Sequence, residues 1–141
     1  MLTTVEKVIL LQDIDIFEQI PTDGLAHLAA ITEEIELAPG TVIYTEGEIP
    51  DGMYVVIDGE VELSRDGKKV MVAGGKDVFG TWALFDEEPR VVSAKALREC
   101  LVLKIDKQDF IDLLADNVRV TQSVLKTMVG RLRGLMTRAG G

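Results

Sequence analysis

The spacing of apolar residues divides the chain into a helical start, a long β region and a helical end. Residues 4–31 follow the three- and four-residue steps of amphipathic helices, with a break at Pro21. Residues 31–106 instead show short apolar alternations cut by turn residues every 6 to 12 positions, which is typical of an all-β barrel or sandwich. The helical spacing returns over residues 107–137. We therefore predict a mainly β fold flanked by helices.

Tight turns separate the predicted strands. Asp58-Gly59 and Asp66-Gly67 supply the positive φ that two-residue hairpins need. We count about eight strands, which is enough for a double-sheet roll or small barrel with an interior. We predict one domain over residues 1–141, built as a double-stranded, jelly-roll-like β-roll with N-terminal helices and two C-terminal helices.

The last helical segment carries an additional apolar pattern. Apolar or small residues recur there in steps of three and four, at Val118, Thr121, Leu125, Met128, Leu132 and Leu135. Such a stripe usually packs against its own domain, but the 3-4 spacing also suits pairing with a second copy of the same helix. We predict a homodimer formed through this C-terminal helix.

Composition narrows the class of protein. Fifteen Lys and Arg against 24 Asp and Glu give a net charge of -9, which repels a nucleic-acid backbone, so we predict no nucleic-acid partner. The single Cys100 excludes an intrachain disulfide and suits a reducing compartment. The N-terminus lacks a signal-peptide pattern, and no uncharged apolar run approaches the roughly 20 residues of a membrane helix. We predict a cytoplasmic protein with no membrane partner.

A metal-dependent enzyme is a poor fit to this chain. His27 is the only histidine, and a metal site needs three or four converging donors. We therefore predict no bound metal and no cupin-like catalysis.

The stretch from Val78 to Ala94, VFGTWALFDEEPRVVSA, carries the candidate chemistry. Gly80 lets the backbone approach a ligand closely, and the residues after it suffice for one short helix, whose start offers unpaired N–H groups. Ten residues later, Arg90 provides a planar set of donors that can hold a phosphate through two parallel hydrogen bonds. An ordinary turn beside a surface arginine would show the same two residues. We predict an anion site here.

Three segments of the chain form a recognisable set: PGTVIYTEG at residues 39–47, DGMYVVIDGEV at residues 51–61, and Phe79-Gly80 through Pro89-Arg90. Together they resemble the cyclic nucleotide-binding domain of the bacterial catabolite activator and of kinase regulatory subunits. The resemblance implies a β-roll with flanking helices, which is the order of elements predicted above. It also implies a regulatory domain that binds cAMP or cGMP non-covalently, without a cofactor and without catalysis.

The resemblance assigns roles to particular residues. The cyclic phosphate would be held by side-chain or backbone groups of Gly80, Thr81, Trp82, Ala83, Arg90, Val91 and Val92. The ribose and base pocket would be lined by Val70, Val72, Phe79, Thr81 and Ser93. The last helix would act as a lid and would bring to the purine Arg131, Leu135 and Met136.

The sequence departs from the family pattern at Thr81 and at Val91-Val92. Thr81 stands where the family has a glutamate that accepts a hydrogen bond from the ribose 2′-hydroxyl, so the ribose half of the site is weakened. Val91-Val92 replaces the small residues that usually follow the arginine. The phosphate half of the site is retained.

Two functions of different classes follow. The first is a sensor that binds a cyclic purine nucleotide, with cAMP as the leading ligand, and signals through its C-terminal helix to an effector protein or fused domain. The second is a domain of the same fold that binds no nucleotide and serves as a dimerisation or protein-interaction module. No helix-turn-helix pattern follows the last helix, so a transcription-factor role would need a DNA-binding domain supplied elsewhere.

Overall fold

A computed structural model describes residues 1–138, and the last three residues of the predicted domain, 139–141, lie outside the described part. The chain forms two compact units. A β unit comprises Ile31–Phe110, and a helical unit combines Met1–Ala30 with the C-terminal part of the chain from Ile111.

Eight strands make up the β unit and pair in two four-stranded antiparallel sheets. The first sheet has the order β1-β8-β3-β6, and the second has the order β2-β7-β4-β5. The strands are β1 (Thr32–Leu37), β2 (Val42–Tyr44), β3 (Gly52–Asp58), β4 (Val61–Arg65), β5 (Lys68–Ala73), β6 (Val78–Phe79), β7 (Ser93–Ala96) and β8 (Cys100–Asp106). The predicted mainly β fold with flanking helices is therefore confirmed.

Alternation along the strands builds the core between the two sheets. Side chains of a strand point alternately to its two faces, and in β4 the buried positions are Val61 and Leu63. They pair with Ala73 and Met71 of β5. The core includes three aromatic residues, Tyr44, Tyr54 and Phe79. One end of this core borders the candidate anion site.

The helical unit contains two helices from the N-terminal part of the chain and two from the C-terminal part. The first four residues of the third helix still belong to the β unit. The helices are α1 (Thr4–Gln12), α2 (Thr22–Ala30), α3 (Lys107–Asp116) and α4 (Val118–Arg138). Thr3 begins α1 with a capping box, because its hydroxyl accepts from Glu6 N–H while the Glu6 carboxylate accepts from Thr3 N–H. A short 3-10 helix, Asp15–Phe17, interrupts the predicted N-terminal helical stretch.

The long helix α4 has two different faces. Val120, Val124 and Thr127 are buried. Four members of the predicted stripe, in contrast, are exposed large apolar side chains: Val118, Leu125, Leu132 and Leu135. The stripe is therefore not the face through which α4 packs into its own unit.

Candidate functional site

The candidate anion stretch folds as a strand, a left-handed glycine and one helical turn. β6 ends at Phe79, Gly80 follows with φ +75°, and Thr81–Leu84 form a 3-10 helix. A Cβ at residue 80 would lie 2.7 Å from Nη1 of Arg90. Glycine is therefore required both by the backbone conformation and by the close approach of the arginine.

Arg90 is a buried arginine, with 5% of its side chain exposed. Its Nη2 donates to the Gly52 carbonyl at 2.8 Å and to Asp51 Oδ1 at 3.3 Å. Its guanidinium carbon lies 3.8 Å from the centre of the Tyr44 ring, so the cation also rests on an aromatic face. These contacts fix the plane of the guanidinium group.

Asp51 is shared between two cations. Its Oδ2 accepts a hydrogen bond from Lys104 Nζ at 2.8 Å, and its Oδ1 contacts Arg90. Burial alone would raise the pKa of Asp51, but the hydrogen bond and charge of Lys104, together with Arg90, outweigh it and lower that pKa below 3.8. Asp51 therefore stays ionised beside Arg90 at neutral pH.

The other nitrogens of Arg90 are available to a ligand. Among the described residues, Nη1 and Nε of Arg90 have no hydrogen-bond partner. In the same part of the chain, every fully buried side-chain nitrogen or oxygen has a partner, so these two nitrogens are not fully enclosed. Because Arg90 lines a cavity, they can donate to a group placed in it.

The cavity has a volume of about 390 Å³, within the range of small-molecule sites. All of its lining residues belong to the β unit. They include, from the predicted site, Phe79, Gly80, Thr81, Trp82, Ala83, Arg90, Val91 and Val92. The structure therefore brings together all of the predicted phosphate residues and two of the predicted pocket residues.

The structure does not bring the remaining predicted pocket residues into this lining. Met71 lines the cavity with its strand partner Leu63. Strand alternation puts Val72 on the opposite face from Met71. Val70 falls at an irregularity in the β4–β5 register and is 59% exposed. Ser93 is also absent from the described lining, and its hydroxyl accepts a hydrogen bond from Glu46 N–H at 3.0 Å.

One of the predicted backbone donors is already used. Ala83 N–H donates to the Gly80 carbonyl at 3.1 Å, which closes the helical turn. The N–H groups of Thr81 and Trp82 come first in that turn, and the first N–H groups of a helix have no partner within it. The available backbone donors in this turn are therefore Thr81 and Trp82, at the start of the predicted range.

The three predicted lid residues lie on α4, in the helical unit. Arg131 pairs with Asp15 at 3.8 Å. Leu135 and Met136 are exposed. Their role at the purine stays a prediction.

Sequence reasoning missed four residues of the Arg90 environment. Tyr44, Asp51 and Gly52 contact Arg90, and Lys104 contacts Asp51. Asp51-Gly52 begins the segment DGMYVVIDGEV, but this pair of residues indicated a turn rather than a binding partner of Arg90. Asp51 and Arg90 are 39 positions apart, and no local spacing indicates such a pair. The cavity also has two acidic residues in its lining, Asp86 and Glu88.

Residues 1–138 contain neither a metal-ligand cluster nor a membrane-spanning helix. That part of the chain contains no group of three or more His, Cys, Asp or Glu side chains that could hold a metal ion. None of its helices combines the length and the apolar character needed to cross a membrane.

The β unit is thus a β-roll with a buried arginine in the lining of a cavity. The sequence model of the cyclic nucleotide-binding domain matches residues 34–117, which is more than half of the chain. The chain belongs to the cyclic nucleotide-binding domain family, and the resemblance seen in its sequence motifs is confirmed.

Relatives of known sequence share this domain. A CRP-like cAMP-activated global transcriptional regulator of Mycobacterium tuberculosis (strain CDC 1551 / Oshkosh) is 28% identical over 123 residues, or 84% of this chain and 55% of that protein. A cAMP-dependent protein kinase regulatory subunit of Yarrowia lipolytica (strain CLIB 122 / E 150) is 37% identical over 87 residues, or 60% of this chain and 23% of that protein. The chain thus spans about half the length of the first relative and less of the second.

A solved structure has a similar fold. The N-terminal domain of a transcriptional regulator from Streptomyces coelicolor A3(2) has a TM-score of 0.82 and 30% identity. The match covers 89% of this chain and 94% of that domain.

The shared carboxylate of Asp51 predicts a pH-dependent contribution to stability. A carboxyl whose pKa is lowered by folding stabilises the fold fully above its unfolded pKa, and this contribution is lost as pH falls through the folded pKa. At pH 7, Asp51→Asn should lower the free energy of unfolding by about 1 kcal/mol, since the carboxylate is half exposed and screened. As the pH falls below 3.8, the ordinary pKa of Asp, the difference in the free energy of unfolding between Asp51→Asn and the wild type should shrink.

Urea unfolding of both proteins at pH 7 and at acid pH measures this difference. The matched control is Asp58→Asn, because Asp58 lies 3.9 Å from Arg98 and both side chains are exposed; it should change stability little. A difference for Asp51→Asn that is equal at both pH values would contradict the assignment.

Proposed function

We propose that this domain is a non-enzymatic sensor that binds a cyclic purine nucleotide, with cAMP as the leading ligand, through the phosphate. The observation that carries the proposal is the buried Arg90, which lines the cavity. Its Nη2 is held by the protein, while Nη1 and Nε have no hydrogen-bond partner among the described residues. A guanidinium group oriented in this way can donate two parallel bonds to one phosphate. Because folding already fixes the orientation of this group, less conformational entropy is lost when a ligand binds.

The charge balance of the cavity favours a singly charged phosphate. Arg90 is partly neutralised by Asp51, and the carboxylates of Asp86 and Glu88 also line the cavity. A cyclic phosphodiester carries one negative charge, whereas an open nucleotide monophosphate or triphosphate carries more. Repulsion by the carboxylates of Asp86 and Glu88 rises with the charge of the ligand. This favours the cyclic nucleotide over nucleotides with an open phosphate.

Names of relatives agree with this ligand. The relative from Mycobacterium tuberculosis is described as cAMP-activated, and the Yarrowia lipolytica relative is the regulatory subunit of a cAMP-dependent kinase. We extend cAMP binding to this chain as a proposal, together with an output passed to an effector protein or a fused domain, such as a DNA-binding domain.

We propose that α4 reports the bound state. Arg131 on α4 is half exposed and its ion pair with Asp15 is long, at 3.8 Å, so exchanging that pair for another partner costs little. A ligand that makes more contacts with one position of α4 shifts the population toward that position. The cytoplasm is the compartment in which we place this signalling, because the buried Cys100 is a free thiol.

A second candidate is the interaction module without nucleotide, and Thr81 is the observation that favours it. Thr81 lines the cavity but carries no carboxylate for a ribose hydroxyl. The two candidates differ in a single result, which is whether purified protein binds cAMP or cGMP.

Loss of Arg90 should abolish nucleotide binding. Each charge-assisted bond is worth about 1.5–3 kcal/mol, so Arg90→Ala should weaken cAMP binding by roughly 100-fold or more. Calorimetry measures the affinity, and emission of Trp82, the single tryptophan, gives a second signal from the cavity lining. Arg98→Ala is the control, because Arg98 is an exposed arginine that also pairs with two carboxylates.

Unchanged affinity in a folded Arg90→Ala protein would refute the assignment of the phosphate site. Absence of binding in the wild-type protein would favour the interaction module.

A carboxylate at residue 81 should tighten binding through the ribose. An ionised glutamate accepting from the 2′-hydroxyl adds a charged hydrogen bond of about 1.5–3 kcal/mol, or roughly 10- to 150-fold in affinity. Thr81→Glu should therefore gain this factor for cAMP and much less for 2′-deoxy-cAMP. Thr81→Gln has the same length without the charge, and should gain less than Thr81→Glu. Equal gains for both nucleotides would show that residue 81 does not face the ribose.

The exposed stripe of α4 should join two copies of the chain. Leu125, Leu132 and Leu135 are more than half exposed, and their 3-4 spacing suits a parallel helix pair. Leu125→Asp should convert the dimer to a monomer in sedimentation experiments. Lys126→Asp introduces the same residue at the next position, outside the stripe, and should remain dimeric. A monomeric wild type, or a dimer that tolerates Leu125→Asp, would exclude this interface.

A further inference from the structure

Tyr44 is a buried tyrosine whose hydroxyl group has no structural role among the described residues. It ends β2, is 4% exposed and lines the cavity. Its ring packs at centroid distances of 6.0 Å from Tyr54 and 6.1 Å from Phe79, and it supports Arg90. A phenylalanine would make all of these ring contacts, so they do not explain the oxygen.

The hydroxyl of Tyr44 has no hydrogen-bond partner within residues 1–138. Buried tyrosine hydroxyls usually find one. Every fully enclosed side-chain oxygen or nitrogen in that part of the chain has a partner. The Tyr44 oxygen therefore reaches open space, and the space that Tyr44 borders is the cavity.

The hydroxyl and the arginine lie beside the same glycine. A Cβ built on Gly80 would lie 2.7 Å from Arg90 Nη1, 3.4 Å from the Gly52 carbonyl oxygen and 3.5 Å from Tyr44 Oη. Gly80, Tyr44 and Arg90 all line the cavity. A neutral O–H and a charged N–H on the same side of one cavity suit two oxygens of one anion.

We propose that the Tyr44 hydroxyl donates a hydrogen bond to the phosphate of the bound nucleotide, to an oxygen beside the one held by Arg90. This proposal rests on the cyclic nucleotide function and adds a contact to it. A second donor without charge strengthens the phosphate half of the site, where Thr81 leaves the ribose half weak. It also fixes the rotation of the phosphate about the Arg90 contact.

The protonation state of Tyr44 supports this role. Burial raises the pKa of Tyr44 to about 12, although the charge of Arg90 opposes the rise. The hydroxyl therefore keeps its proton at neutral pH and acts as a donor. The aromatic ring and the hydroxyl have separable functions, since the ring supports Arg90 and the hydroxyl would contact the ligand.

The test removes the oxygen and retains the ring. Tyr44→Phe should weaken cAMP binding by about 10-fold or more in calorimetry, as expected for a hydrogen bond to a charged group. Tyr54→Phe is the matched control: Tyr54 is buried in the same aromatic cluster and is absent from the described cavity lining. It should bind cAMP as the wild type does.

Phosphorothioate analogues of cAMP give a readout that a merely structural role would not change. Sulfur is a poor acceptor, and the two diastereomers place it at one or the other exocyclic position. In the wild type, sulfur should weaken binding by different factors in the two diastereomers. In Tyr44→Phe, the loss of affinity should become smaller for the diastereomer whose sulfur replaces the oxygen that Tyr44 contacts, and should stay the same for the other.

The outcomes separate this proposal from the function on which it rests. If wild type binds cAMP and Tyr44→Phe binds it equally, the hydroxyl contact is excluded and the nucleotide function stands. An equal penalty for both diastereomers in both proteins would also exclude the contact. If wild type binds no cyclic nucleotide, both proposals fall together.

Discussion

The burial of one guanidinium group is the constraint on which the site depends. A charge removed from water must be paired and hydrogen-bonded, and Arg90 is held by the Asp51 carboxylate, the Gly52 carbonyl and the face of Tyr44. Lys104 in turn keeps Asp51 ionised. This arrangement uses Nη2 and leaves Nη1 and Nε for a ligand, so the fold orients the arginine before any ligand arrives.

The conformation of Gly80 follows from the same constraint. The arginine approaches so closely that no side chain fits at residue 80. The positive φ there turns the chain from β6 into the helical turn that carries Thr81 and Trp82. The candidate anion site thus consists of one side chain and the backbone around it, which is why a glycine and an arginine ten residues apart pointed to it in the sequence.

Sequence reasoning recovered the fold, and the residues that it assigned to the phosphate line one cavity, because both results depend on local features. Asp-Gly turns and alternating strands indicated the β-roll, and Gly80 with Arg90 indicated the anion site. The pocket wall depended on register: Met71 faces the cavity, while Val70 and Val72 do not line it. A shift of one residue changes the face of every side chain in a strand, and local sequence did not determine that register. Asp51 and Lys104 were missed because the contact of Asp51 with Arg90 and that of Lys104 with Asp51 join distant parts of the chain.

A crystal structure of the protein with cAMP tests the central claim most directly. We predict that the cyclic phosphate lies on Nη1 and Nε of Arg90, with Nη2 still bonded to the Gly52 carbonyl and Asp51. A nucleotide bound elsewhere, or an Arg90 that must leave Gly52 and Asp51 to reach the phosphate, would contradict the account.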